Sequence, residues 1–382
     1  MVRLSYKINP MLQNKIYQNY VIEILKTFFT VVLGLSLLAL TVRAVNFLEL
    51  IVNNGYPVLT YFQYSFLNLF GIIPKFIPLA FFVSIIIFIL KHNNNSEFII
   101  LWSSGVNKIR LVNLLFLSSF LVLIFYLFLS TILTPYTLNK SRNLLSQDQY
   151  NSFLPTIRSQ QFSDSFKGFT FLVDKKIDNE IKNIFLHDTG NNLKKFSSDF
   201  SGVNSTTIIA EKGGVKNRNF FLVNGQIIST KKDDVEIINF EQLNVNLNSL
   251  SASTIKQPKL QETSTLTLLS CFIQKLENSK ICNNETNKEI VPNLIRRLIL
   301  PFFIPVISIL CSFLFLKTNL LIFDKFKIYM SSFILLVLTE LLIRYTGMNF
   351  QLRISYILLP FILMLIFYSI INFKLKTNVK KI

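Results

Sequence analysis

The side chains best placed to do chemistry in this 382-residue sequence are cations in positions that ordinarily exclude them. Arg43, Lys75, Arg296, Arg297, Arg344 and Arg353 fall near the ends of long apolar runs. On a helix, Arg43 stands 17 residues, about 25 Å, beyond Lys26, and Lys75 stands a similar distance from Lys91. Cations gathered at one depth suit an anionic ligand that enters between helices. A guanidinium serves such a site best, because its planar fork sets two parallel N–H donors against a phosphate. Taken singly, each residue has a plainer account. Its long stem snorkels to ordinary lipid headgroups, with Glu340 and Arg344 paired at i, i+4.

Enzyme chemistry has no comparable foothold. Neither His92 nor His187 sits in an H-E-x-x-H or beside clustered carboxylates. The run Lys212-Gly-Gly-Val-Lys-Asn lacks both the spacing and the hydroxyl residue of a phosphate-binding loop, and no G-x-S-x-G elbow occurs. The expectation is therefore no catalytic residue, no metal site and no cofactor of its own. Any uphill work must draw on a partner or an ion gradient. Cys271, Cys282 and Cys311 make neither a metal spacing nor an even framework, so free thiols are favoured over a Cys271–Cys282 bridge.

The elements that must carry these residues are membrane spans. The chain is 51% hydrophobic with 38 Phe, and six apolar runs are long enough to cross a bilayer: about 27–48, 64–90, 111–133, 297–316, 327–345 and 354–373. The first run is too long for a cleaved signal and has no small-residue cleavage site, so it reads as a retained span. Aromatic residues interleave with aliphatics, not with Lys and Arg. A net charge of +18 then points to an anionic membrane surface and away from nucleic acid. Lys26, the Lys91–Arg110 loop, Lys325, Lys327 and the Lys374–Lys381 tail all fall on one side of a six-span chain. That side, with both termini, is expected to be cytoplasmic.

Between the third and fourth runs the period changes to that of strands. Gly168-Phe-Thr-Phe-Leu-Val-Asp, Asn183-Ile-Phe-Leu-His-Asp, Thr206-Thr-Ile-Ile-Ala-Glu, Asn219-Phe-Phe-Leu-Val-Asn-Gly, Val235-Glu-Ile-Ile-Asn-Phe and Leu243-Asn-Val-Asn-Leu read as strands. Asp188-Thr-Gly-Asn, Lys212-Gly-Gly and Asn224-Gly225 read as turns between them. This spacing predicts an antiparallel sandwich or barrel on the outer side. The chain would then divide into a transmembrane half at 1–133, an external β domain at 134–290 and a second transmembrane half at 291–382.

The stretch NNNSEFIILWSSG at 93–105 is too short to span a bilayer and too apolar for a plain loop. Ser96 fits an N-cap, Glu97 a first turn where the helix dipole favours an anion, and Gly105 the left-handed position past a helix end. Phe98, Leu101, Trp102 and Gly105 then share one face. So short a helix must be held by docking. Trp102 could sit at headgroup depth, or the helix could fit a partner protein, and both readings stand.

Ser96-Glu-Phe-Ile-Ile-Leu-Trp-Ser-Ser-Gly-Val resembles the coupling-helix segment of the lipopolysaccharide-export permeases, the LptF/LptG (YjgP/YjgQ) family. The resemblance covers the whole chain. It includes Val45-Asn-Phe-Leu-Glu-Leu-Ile-Val-Asn-Asn-Gly after span one, Pro78, Thr134-Pro135, Thr207-Ile-Ile-Ala-Glu-Lys-Gly and Arg296-Arg297-Leu-Ile-Leu-Pro301. The segment after span one is nearer the LptF type. The resemblance implies a bacterial inner-membrane protein of six transmembrane α-helices, three plus three, with an inserted periplasmic antiparallel β domain of jellyroll-like kind. It implies that the helix at 96–105 docks on a cytoplasmic ABC ATPase dimer, which binds the ATP, with Glu97 and Gly105 at family positions. A paralogous permease would complete a heterodimer, and periplasmic β-jellyroll bridge proteins would continue the path. Lipopolysaccharide would be the cargo, its lipid A phosphates meeting Arg43 and Arg296 or Arg297, within a rim that includes Lys75 and Arg344. Pro74 and Pro78 are one turn apart where the family has about two, which leaves Lys75 off the family's register.

Two other classes fit part of this pattern. A mechanotransmission-type ABC permease relays motion through an external domain, which usually follows the first span and here follows the third. A non-transport scaffold for envelope assembly would make the cationic rim incidental.

Overall fold

The computed structural model describes residues 15–52, 56–156, 159–166, 168–177, 180–189, 203–216, 219–231, 234–246, 259–274, 287–316 and 322–379. Among these, six helices are long and apolar enough to cross a membrane: Lys15–Val52, Val58–Asn94, Lys108–Leu145, Lys288–Phe315, Phe323–Gly347 and Phe350–Lys376. Each contains one apolar run, to within a residue, and outlasts it. The polar flanks continue the backbone ladder after the apolar residues stop. Span one comprises α1 (Lys15–Phe47) and α2 (Glu49–Val52), and span two is α3 (Val58–Asn94). The short α4 (Glu97–Ser103) follows. Span three runs from α5 (Lys108–Phe128) through a π-helical turn (Leu129–Leu133) into α6 (Thr134–Thr156). After the strands come α7 (Thr265–Gln274) and span four, built from α8 (Asn287–Leu298), α9 (Phe303–Ser312) and two 3₁₀ turns. Span five is α10 (Ile322–Ile343) with the 3₁₀ turn Arg344–Gly347, and span six is α11 (Phe350–Val379).

The chain forms two compact units. One holds Met1–Thr41, Asn68–Leu138 and Lys259–Ile382; the other holds Val42–Leu67 and Asn139–Pro258. In the first, spans two, three and four make the centre, with Phe81, Ile85, Leu115, Tyr126, Ile304 and Ile307 all buried. Spans one, five and six turn Leu37, Leu38, Leu341, Leu365 and Phe373 outward. Lipid is as apolar as these side chains, so such faces are stable against a bilayer or another helix.

Prolines interrupt the central spans, and hydroxyls from neighbouring helices repair them. Pro74 has no N–H for the Phe70 carbonyl, and Thr134 Oγ1 donates to it at 2.9 Å. Pro135 likewise frees the Thr131 carbonyl, which takes Thr265 Oγ1 at 2.8 Å. Pro301 frees that of Arg297, which takes Ser130 Oγ at 3.1 Å. A buried carbonyl without such a donor costs considerable free energy. The first of these bonds repairs α3 at Pro74; the helix runs unbroken through Pro74 and Pro78, with both prolines buried and Lys75 exposed between them.

The second unit contains a six-stranded antiparallel sheet: β1 (Ser163–Phe166), β2 (Phe169–Ile177), β3 (Glu180–Asp188), β4 (Val203–Lys216), β5 (Asn219–Lys231) and β6 (Val235–Asn246). Each strand pairs with the next, so the sheet is a meander among the described residues. The Val235 and Leu243 runs join into one strand, and β1 has no apolar run to announce it. Two expected turns lie inside strands instead, Lys212-Gly-Gly in β4 and Asn224-Gly225 in β5. Glycine is needed there for close approach: a Cβ on Gly225 would stand 2.2 Å from the Ile209 carbonyl oxygen, and one on Gly213 would stand 2.5 Å from Ile184 Cδ1. Asp188-Thr-Gly-Asn lies partly outside the described residues.

Cys271 is disulfide-bonded, against the free-thiol expectation, while Cys282 lies outside the described residues. The odd cysteine count misleads because one thiol, Cys311, is free and buried in span four.

Candidate functional site

The short helix α4 starts abruptly. Because α3 runs to Asn94, only Asn95 and Ser96 remain to redirect the chain. Ser96 adopts a left-handed conformation (φ 56°) and its side chain makes no cap bond. The N-cap expectation for Ser96 is therefore corrected: a cap needs an extended backbone to aim its oxygen at the first-turn N–H groups, and the tight reversal denies it. The other end behaves as the sequence implies. Gly105 is left-handed (φ 84°), the Val106 N–H donates to the Leu101 carbonyl at 3.1 Å, and the Gly105 N–H donates to that of Trp102 at 3.1 Å. These two bonds form the glycine-terminated motif that closes a helix.

The aromatic face of α4 turns inward. Phe98 is fully buried, its ring edge-on to Phe315 at 5.3 Å and stacked near His92 at 5.6 Å. Trp102 stacks on Phe98 at 5.9 Å and carries the Lys108 ammonium 4.3 Å from its ring. Phe98, Leu101 and Trp102 thus anchor the helix to its own spans. The remaining surface offers Ile99 and Ile100, 54% and 63% exposed. Sequence reasoning passed over these two, although a helical projection sets Ile100 opposite Phe98 and Trp102 and Ile99 on the flank between.

Glu97 belongs to a polar cluster that joins three elements. His92, buried on α3, has Nδ1 3.1 Å from the Phe88 carbonyl oxygen. A carbonyl only accepts, so Nδ1 carries the proton in that bond. Nε2 lies 3.4 Å from Glu23 Oε2 on α1 and 3.4 Å from Glu97 Oε2 on α4. Lys91 Nζ meets Glu23 Oε1 at 2.6 Å. A doubly protonated ring can present its second proton to both carboxylates. Glu23 is far from His92 in sequence, which is why the carboxylates around His92 went unseen there.

The cations separate into different circumstances. Lys75, Arg296 and Arg297 come together with Glu340 around a narrow cavity of about 60 Å³. Arg296 Nη2 pairs with Glu340 Oε2 at 3.1 Å. The expected Glu340–Arg344 pair does not form. Glu340 is taken by Arg296 instead, and Arg344 is exposed with no ion pair among the described residues. Arg297 is 7% exposed, and its terminal nitrogens donate to Thr263 O, Thr265 Oγ1, Leu260 O and Gln261 O at 3.0–3.1 Å. All four acceptors are neutral, and they leave one N–H of the guanidinium unspent. Arg43 lies in the other unit, exposed on α1, with no hydrogen-bond or ion-pair partner among the described residues.

Six candidate spans, an inserted sheet and a short helix docked between spans two and three define a multi-pass membrane protein with an inserted β domain. The family model for the lipopolysaccharide export system permease LptF/LptG matches residues 20–373. The chain belongs to that family, and its class is permease, not enzyme. Among curated proteins, none matches.

Proposed function

We propose that this chain is the LptF-type subunit of an ABC exporter that extracts lipopolysaccharide from the bacterial inner membrane and passes it to a periplasmic bridge. A paralogous permease completes the heterodimer, and a cytoplasmic ATPase dimer binds and hydrolyses the ATP. The observation that carries this reading is α4, a helix locked to the chain by Phe98 and Trp102 while Ile99 and Ile100 face outward. The positive-inside rule puts that end, and both termini, in the cytoplasm and the sheet in the periplasm. Force applied to Ile99 and Ile100 passes through Glu97 and His92 to Glu23, and so to span one, the helix that carries Arg43.

The cavity of about 60 Å³ within this chain has room for roughly two waters, not acyl chains. The lipid chamber therefore needs the partner's helices, which the outward apolar faces of spans one, five and six accommodate. Arg43, with no competing partner, is the foremost phosphate ligand; Arg296 and Lys75 follow, and Arg297 is largely occupied by carbonyls. The edges of β1 and β6, which no other strand pairs among the described residues, suit strand addition by a bridge protein.

The test is copurification in mild detergent. The full-length chain should bring down an ATPase and a phosphorylated glycolipid, and Ile100→Asp should lose the ATPase while keeping the glycolipid. Recovery of neither from the unaltered chain would end the export reading.

A further inference from the structure

A second cavity, independent of the export reading, lies among α7, α8 and α11. We propose that it seats one acyl chain of a membrane glycerophospholipid whose phosphate is held by Arg353. The cavity measures about 160 Å³, and among the described residues Arg353 is the sole polar one on a wall that includes Leu269, Phe272, Leu294, Leu298 and Ile357. The pocket is open on one side and its described walls are apolar, so it offers sugar and phosphate no partner within but fits part of a lipid tail.

Arg353 supplies the complementary group at the rim. Its Nε donates to the Thr346 carbonyl at 3.3 Å, and its Cζ stands 5.8 Å from the Phe272 ring and 5.9 Å from that of Phe350. Its terminal nitrogens have no hydrogen bond or carboxylate among the described residues, so two forked donors remain for an anion. The depth is right for a headgroup. Arg353 lies in the first turn of span six, and Ile357, one turn further in, already lines the cavity.

The helix that roofs this cavity also faces lipid. In α7, Leu268 and Cys271 pack on Ile290 and Leu294, while Leu266 and Ile273 point outward, 78% and 75% exposed. Such a helix is suited to lie in the membrane interface. The site is distinct from the cavity lined by Lys75: on α8, Asn293, Arg296 and Arg297 occupy one face, and Leu294 and Leu298 the opposite one. A bound phospholipid would pin α7 against spans four and six, next to the 260–265 segment that Arg297 holds by its carbonyls.

The experiment reconstitutes the full-length chain in nanodiscs of phosphatidylglycerol and phosphatidylcholine, then exchanges it into detergent. Native mass spectrometry measures the lipid retained. One phosphatidylglycerol per chain is expected. Arg353→Gln should lower its retention about tenfold, the loss of a charge-assisted contact. Leu298→Phe and, as a milder filling, Ile357→Phe should lower it with Arg353 intact. Lys376→Gln, an exposed cation at the far end of span six, should change nothing. Wild-type retention by folded Arg353→Gln or by both filling variants overturns the proposal. So does finding that lipopolysaccharide, not phosphatidylglycerol, is the lipid whose retention follows Arg353. Copurification of the ATPase by Arg353→Gln keeps this outcome separate from the export reading.

Discussion

At the residue scale, His92 is the side chain that most changes how the coupling end works. With Nδ1 spent on a carbonyl, the buried imidazole ties Glu23 to Glu97 only in the form that also carries a proton on Nε2, and its loss would leave the two carboxylates as neighbouring like charges. In the proposed exporter, His92→Leu should retain the ATPase, because Ile99 and Ile100 are untouched, yet export less lipid per ATP hydrolysed. Reconstituted vesicles measure both rates; an unchanged ratio would take His92 out of the coupling path. Arg297 makes the complementary point. As a sequence feature it is indistinguishable from Arg296, yet one is spent on four backbone and hydroxyl oxygens and the other on Glu340. A cation's type announces what it can bind, while its neighbours decide whether it is still available.

At the element scale, the central spans depend on hydroxyl donors as much as on apolar packing. Thr134→Val preserves shape and removes the donor to the Phe70 carbonyl, so it should lower stability by about 1 kcal/mol. Unfolding in a graded detergent mixture measures this, and no shift would mean the carbonyl finds another partner. The spans themselves were legible in the sequence because apolar run length is a one-dimensional property, and five of the strands showed their pattern for the same reason. Gly213 and Gly225 were misread because a glycine that turns the chain and one that admits a neighbouring backbone look alike until strands are paired. Ser96 failed as a cap because its conformation is set by how far α3 extends, not by its own preference. The pairings Glu23–His92 and Arg296–Glu340 were invisible, since each depends on which helices become neighbours.

At the scale of the whole molecule, buried spans two, three and four form a fixed body, and spans one, five and six offer their apolar faces outward. The hydroxyl bonds across that body also impose an order on biosynthesis. The Phe70 carbonyl finds Thr134 as soon as span three is made, and Arg297 arrives to find Ser130 in place. The Thr131 carbonyl differs, because its donor, Thr265, is translated only after the entire sheet. Until then span three carries an unmet acceptor inside the bilayer, a mark that quality-control proteases could read. A chain ending at residue 258 should accordingly turn over faster than one ending at 274, as pulse-chase labelling would show. Equal lifetimes would mean that the nascent span tolerates the gap unaided.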